Sequence, residues 1–238
     1  MAISLSTCLV NRLAGQEVTV TDTPGTAIDF TTGTITTTSS DFLTQGFRPG
    51  QVIKIASSTS NDGYVTATQV AAATITISET ITAETGIAGT TLSVPNGLNW
   101  VTIFKHGIMD IYSSPMPANA DLAETGTKLL SLTDGAGAFT AGESTNGLQF
   151  EFDAAGVFGI LSTQTWQDAG IATGTAYYAR LYDNAYITGL DSVNLQSPRI
   201  QGRVGTSGQD FDITSTSIVI AVTNTCDTLN FTQPKVVA

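Results

Sequence analysis

The chain is short of charge, histidine, cysteine and long apolar runs, and each shortage excludes something. Charged residues make up 12% of the 238, with 9 Lys and Arg against 20 Asp and Glu, for a net charge of −11. Nothing beyond the first fifteen residues is basic. Binding of nucleic acid through phosphate neutralisation is therefore not expected, nor is adhesion to an acidic membrane surface. His106 is the one histidine. Any Ser–His–Asp or Cys–His arrangement must pass through it, no G-x-S-x-G elbow accompanies it, and its setting in FKHG reads as a turn. Cys8 and Cys226 could form one long-range disulfide, but two thiols are no framework; they read as small buried apolar side chains. One His and two distant Cys give no zinc-ligand spacing. The longest apolar run, SIVIAV at 217–222, has the length of a buried strand rather than of a membrane span. The start, MAISLSTCLVNRLAGQ, lacks a basic region followed by a sustained apolar one, so it reads as mature structure and the chain as made in the cytosol.

What is present is β-forming. Hydrophobic residues reach 41%, too many for a disordered chain of such low charge. Thr-rich alternating segments suit pleated, half-buried surfaces. A Thr/Ser/Gly surface with few Lys and Glu suits a protein that works inside a larger assembly. Residues 3–14 form the one convincing helix, with Leu5, Leu9 and Leu13 on a stripe and Gly15 at the C-cap position. Strands follow at EVTVTD, AIDFTTGTITTT, VIKIASS, GYVTATQV, TITISET and TTLSV, with SSDFLTQGFRPGQ as a loop and Asn61, Asp62 and Gly63 as a positive-φ hairpin turn. Pro95, Asn96 and Gly97 mark a boundary. GLNWVTIFKHG is undecided between helix and strand. Beyond it, IMDIYSS, KLLSLT, GLQFEF, TAYYARLYDN, PRIQGRVG, DFDITS, SIVIAV and DTLNFTQP read as strands.

Candidate chemistry is thin. Glu151 and Asp153, and Asp210 and Asp212, each share a strand face. Paired carboxylates can serve glycoside hydrolysis or bind calcium, but neither pair sits in a D-x-D-x-D-G loop, so solvated faces and loop ends are the expectation. Asp183, three residues from Arg180, is expected to hold the turn that follows. TDGAGAFTAGE lacks the Lys–Ser/Thr ending of a phosphate loop. Tyr177, Tyr178, Tyr182 and Tyr186 could form a sugar-stacking platform; they read better as interface anchors. No catalytic, cofactor or metal residue is assigned.

Two resemblances complete the reading. GFRPGQVIKIASSTSNDGYVTATQVAAATITIS resembles a small β module recurrent in tailed-bacteriophage virion proteins. GIMDIYSSPMPANADLAETGTKLLSLT, with TAYYARLYDN, GRVGTSGQDFDITSTSIV and DTLNFTQP, resembles a family of tailed-phage structural proteins over most of 107–234. Ile111, Tyr112, Pro117, Ala118, Ala120, Asp121, Glu124, Thr125 and Gly126 carry it, together with Arg180, Leu181, Tyr182, Asp183, Gly205–Gly208 and Ile218. Tyr178 stands where that family more often has Trp, and Ser114 where it more often has Gly. Its members often pass from a first helix almost directly to the strand of IMDIYSS. The resemblance thus implies an all-β protein with a discontinuous main domain, 1–15 plus 98–238, a β-sandwich or jelly-roll-like fold with the short N-terminal helix. A small β-barrel or sandwich is inserted at 16–97. The implied function is structural and non-enzymatic: a capsid decoration (cement) protein, assembled in the host cytoplasm, binding the major capsid protein or other virion proteins and forming homo-oligomers. A tail, neck or baseplate component is the alternative of the same class, and a carbohydrate-binding adhesin module that of another.

Overall fold

The computed structural model describes residues 3–14, 18–23, 27–38, 40–94, 99–152, 158–190 and 197–229. Gly15, Pro95–Gly97, Asp153 and the end of DTLNFTQP lie outside them. The chain is all-β and divides into two compact units: residues 1–10, 99–139 and 145–238, and residues 11–98 with 140–144. The division falls inside the first helix, and a five-residue piece of the later sequence belongs with the second unit. Among the described residues no helix is long and apolar enough to cross a membrane.

The helix expected over 3–14 begins later. Ser4–Leu5 is a short strand, β1, and helix α1 runs Thr7–Leu13. Ser6 stops the strand and starts the helix. Its hydroxyl accepts from Leu9 N at 3.2 Å as an N-cap and donates to Ser197 O at 3.1 Å. Leu9 and Cys8 are buried while Val10 is exposed.

The second unit contains β2 (Val18–Thr21), β3 (Ile28–Thr31), β4 (Thr34–Thr37), helix α2 (Phe42–Gln45), β5 (Val52–Ala56), β6 (Gly63–Val70), β7 (Thr74–Ile77) and β8 (Thr91–Val94). One sheet holds all seven strands in the order β2-β8-β5-β6-β7-β4-β3. Its end strands are consecutive in the chain, and Asp22 links them by accepting from Ile28 N at 2.8 Å. Alternation is plain, as in β2 and β7, and every strand contributes to one core around Phe30, Ile35, Phe42, Phe47, Ile53, Ile75 and Leu92. SSDFLTQGFRPGQ is not all loop. Asp41 caps α2 by accepting from Leu43 N and Thr44 N, and Gly46 closes it at φ 106°. Buried Arg48 then donates to Leu43 O and Phe47 O, so GFRPGQ is a knot that satisfies helix-end carbonyls. The NDG turn also differs: of its three residues only Gly63 has positive φ. The connection runs from Ser57 to Asp62, and Asp62 tightens it by accepting from the Ser58 backbone and hydroxyl.

The first unit continues with α3 (Trp100–Ile103), β9 (Ile108–Tyr112), β10 (Lys128–Asp134), β11 (Phe150–Phe152), β12 (Phe158–Ile160), β13 (Trp166–Ala169) and β14 (Gly174–Thr175). β15 (Tyr178–Tyr182), β16 (Arg199–Gly205), β17 (Phe211–Ile213), β18 (Ser217–Ile218) and β19 (Thr223–Leu229) complete it. The undecided WVTI segment is helix, capped by the Asn99 side chain. Seven strands close a hydrogen-bonded ring, β16-β15-β9-β10-β13-β19-β17, shut by the parallel pairing of β17 with β16. β1 lies on the same edge of β16, Ser4 opposite Gln201. β11 with β12, and β14 with β18, form separate two-stranded pairs. SIVIAV is not a buried strand. Ile218 is buried, but Val219, Ile220 and Val222 are exposed, because Ala221 at φ 62° turns the chain and Val222 N bonds back to Val219 O.

Candidate functional site

The densest polar chemistry lies on one face of four neighbouring strands of the first unit. In β9 and β15 every residue is buried, so both faces of these strands are covered. Alternation and register sort the side chains. Tyr178 stands opposite Tyr112, Arg180 opposite Asp110, and Gln201 and Arg199 on β16 opposite Arg180 and Tyr182. Ser131 on β10 stands opposite Asp110. The other face carries Met109, Ile111, Leu130, Leu132, Ala179, Leu181 and Ile200, all buried. A strand that is apolar on one face and polar on the other ordinarily shows the polar face to water. Here residues 113–127, 183–190 and 197–198 supply partners instead.

Asp110, wholly buried, accepts from Ser131 Oγ at 2.6 Å, Tyr186 OH at 2.8 Å and Tyr112 OH at 3.2 Å. Lys128 Nζ lies 3.6 Å from it and donates to Tyr186 OH. Burial pushes the Asp110 carboxyl above the usual range, and these four partners offset part of the rise. Tyr112 and Tyr182 bring their hydroxyls within 3.3 Å of each other, and Tyr182 OH donates to Glu124. Glu124 also takes Arg180 Nη1 at 2.9 Å and Gly189 N at 2.8 Å. Burial pushes Glu124 up, but the bonds from Tyr182 and Gly189, with the Arg180 charge, outweigh it and hold the carboxyl below its ordinary value. Burial raises the Tyr112, Tyr182 and Tyr186 hydroxyls far above their ordinary value, so they remain protonated donors.

The arginines tie the loops down. Arg180 donates to Leu122 O and to Gln201, whose amide donates to Pro117 O. Arg199 donates to Ile187 O, Gly189 O and Ala120 O. Every oxygen of Asp110 and Glu124 already has a protein partner. The arrangement fixes these loop segments on a sheet.

No protein family, no curated protein and no solved structure matches the chain.

The tyrosines named from the sequence divide. Tyr178 and Tyr182 are 0% exposed and belong to the polar face, so they offer no interface. The strand that bears them is central in the ring, with β9 and β16 on its two edges. Tyr186 is partly buried over Lys128. Only Tyr177, 44% exposed, presents a broad ring face. Arg180 pairs with Glu124 and not with Asp183. Asp183 holds its turn by accepting from Ala185 N at 3.3 Å and Tyr186 N at 3.1 Å. Asp210 accepts from Arg203 N, and Asp212 from Gly208 N and Gln209 N; the pair ends a strand and caps the TSGQD turn. Glu151 accepts from Ser162 N, and its intended partner Asp153 is outside the described residues. His106 sits at φ 61° in a turn, buried, with Nδ1 unbonded. Cys8 and Cys226 are both buried and not joined in a disulfide, and burial pushes the Cys226 thiol up to about 12. Among the described residues no group of three His, Cys, Asp or Glu could hold a metal ion.

Asp110, Lys128, Ser131, Arg199 and Gln201 were not singled out by the sequence. These five charged or polar side chains within strands as apolar as IMDIY, KLLSLT and PRIQG were the available signal.

Proposed function

We propose that this chain is a non-enzymatic structural protein of a tailed-phage virion, a decoration protein that binds the outer face of the capsid shell. One observation carries the reading. Tyr112, Glu124, Thr125, Arg180 and Tyr182, which bear the resemblance to tailed-phage structural proteins, converge on one buried lattice. Thr125 exchanges two hydrogen bonds with Tyr178 OH. Gly126 adopts φ 78° where a Cβ would meet Ser114 Cβ at 2.2 Å. The shared pattern is thus a pattern of fold-determining contacts, and separated segments would not match it residue by residue without the same packing. The jelly-roll-like form of the first unit belongs to the same proposal, supported by central strands covered on both faces. Saturation of the buried carboxylates supports a structural task over a catalytic one. Attachment to the major capsid protein uses apolar and Ser/Thr surface, since so few charges are available.

Quantitative mass spectrometry of purified particles tests the proposal. A decoration protein is present in proportion to the shell protein. Copy numbers in small multiples of three, six or twelve move it to the tail or neck. Absence from particles refutes the virion role.

A further inference from the structure

The most apolar run of the chain is on its surface. Val219, Ile220 and Val222 are 44%, 57% and 52% exposed, and Ile171, on the neighbouring segment, is 57% exposed. Single exposed aliphatics are ordinary, but a cluster is not. These four are held together by backbone. Gly170 bridges to Ile220, Gly170 N donates to Val222 O at 3.0 Å, and Ala221 N donates to Gly170 O at 2.8 Å. Ile220 N donates to Thr173 Oγ1 at 3.3 Å. A Cβ at position 170 would lie 2.4 Å from Val219 O, so only glycine permits this approach. Ala221 stands at φ 62°, where glycine or asparagine is the easy choice. The knob is therefore rigid and mildly strained, and its order precedes any partner.

We propose that this knob is the contact through which copies of the chain associate with one another. Charge selects the occupant. Residues 169–179 and 213–226 contain no charged side chain, and exposed Thr173, Thr175, Ser217 and Thr223 flank the knob. A charged partner would bury its charges against aliphatic surface without compensation. Copies that each carry a net charge of −11 repel least where both are uncharged. The same patch on a second copy meets these terms, and identical chains close such contacts about a symmetry axis. Four aliphatics on a turn fall short of the roughly 800 Å² per partner of a standard interface, so the Thr/Ser rim takes part. This deepens the proposed assembly role by naming its surface. The isolated protein tests it, so its failure leaves the particle measurement untouched.

Sedimentation velocity of the full chain over a concentration series reads the result. The wild type is expected to form a discrete oligomer. Ile220→Ser with Val222→Ser should weaken it about tenfold or more, with circular dichroism unchanged because both side chains are exposed. Val52→Ser, at an aliphatic 47% exposed on β5, should leave association unaltered. Raising salt from about 50 mM to about 0.5 M should tighten the oligomer by screening the repulsion. A chain that stays monomeric overturns the proposal, as does an oligomer indifferent to the double substitution or one dissolved by salt. A monomer that floats with phosphatidylcholine vesicles overturns it in favour of a lipid surface.

Discussion

His106 holds a left-handed backbone conformation in a buried turn, and its proton balance follows from that place. Burial, then the nearby Lys105 charge, lowers its pKa from 6.5 to about 4. The fold therefore prefers the neutral ring. The stability this contributes is complete above about pH 6.5 and is lost as pH falls towards 4. Asparagine tolerates positive φ and does not titrate. His106→Asn should thus flatten the urea midpoint against pH across that window, and an unchanged slope would assign the proton uptake elsewhere. Arg180 gives a larger effect. Its side chain is fully buried against Glu124, so Arg180→Ala leaves a half-buried carboxylate without its cation and should cost roughly 3–5 kcal/mol in chemical denaturation. Tyr182→Phe removes only the hydroxyl between Tyr112 and Glu124 and should cost about 1–3 kcal/mol. No loss in Tyr182→Phe would mean that the ring packing of Tyr182, and not its hydroxyl, matters at this position.

Elements with clean alternation were legible from the sequence, and those decided by backbone were not. VIKIA, GYVTATQV and TITI all became strands because period-two apolar residues can be satisfied in only one register. Helix α2 is four residues long, too short to show a helical period, and its cap at Asp41 and stop at Gly46 emerge only from the fold. Asp41→Ala should lower the stability of the second unit by about 1 kcal/mol, read as a fall in its urea midpoint; no change would mean that core burial of Phe42 alone holds the turn. SIVIAV misled for the opposite reason. Its composition says strand, while one positive φ at Ala221 turns the residues outward, and alanine gives no hint of it. The polar lattice was half visible. Tyr112, Glu124, Arg180 and Tyr182 stood in the resembled motifs, whereas the pairing of Arg180 with Glu124, 56 residues away, depends on a loop folding back and no local spacing encodes that.

At the scale of the molecule, each unit has its own sheet, and all seven strands of the second lie between Val18 and Val94. Replacing residues 16–97 with a short Gly/Ser linker should leave the first unit folded, with near-ultraviolet dichroism from its buried Trp100, Trp166 and tyrosines retained. Loss of that signal would show that the inserted segment is required for the fold. The ring of the first unit has a consequence for the order in which the protein comes into being. β19 must lie between β13 and β17 before the ring can shut, and β19 ends at Leu229. At about 5–20 residues per second, synthesis leaves on the order of ten seconds between completion of β8 and completion of β19. Until β19 is made, β13 and β17 each lack a neighbour, and nascent chains on one message can exchange strands. A chain halted at Val222 should therefore keep a folded second unit and aggregate through an unclosed first one; a soluble monomer of that truncated length would show that the ring closes without its final strand.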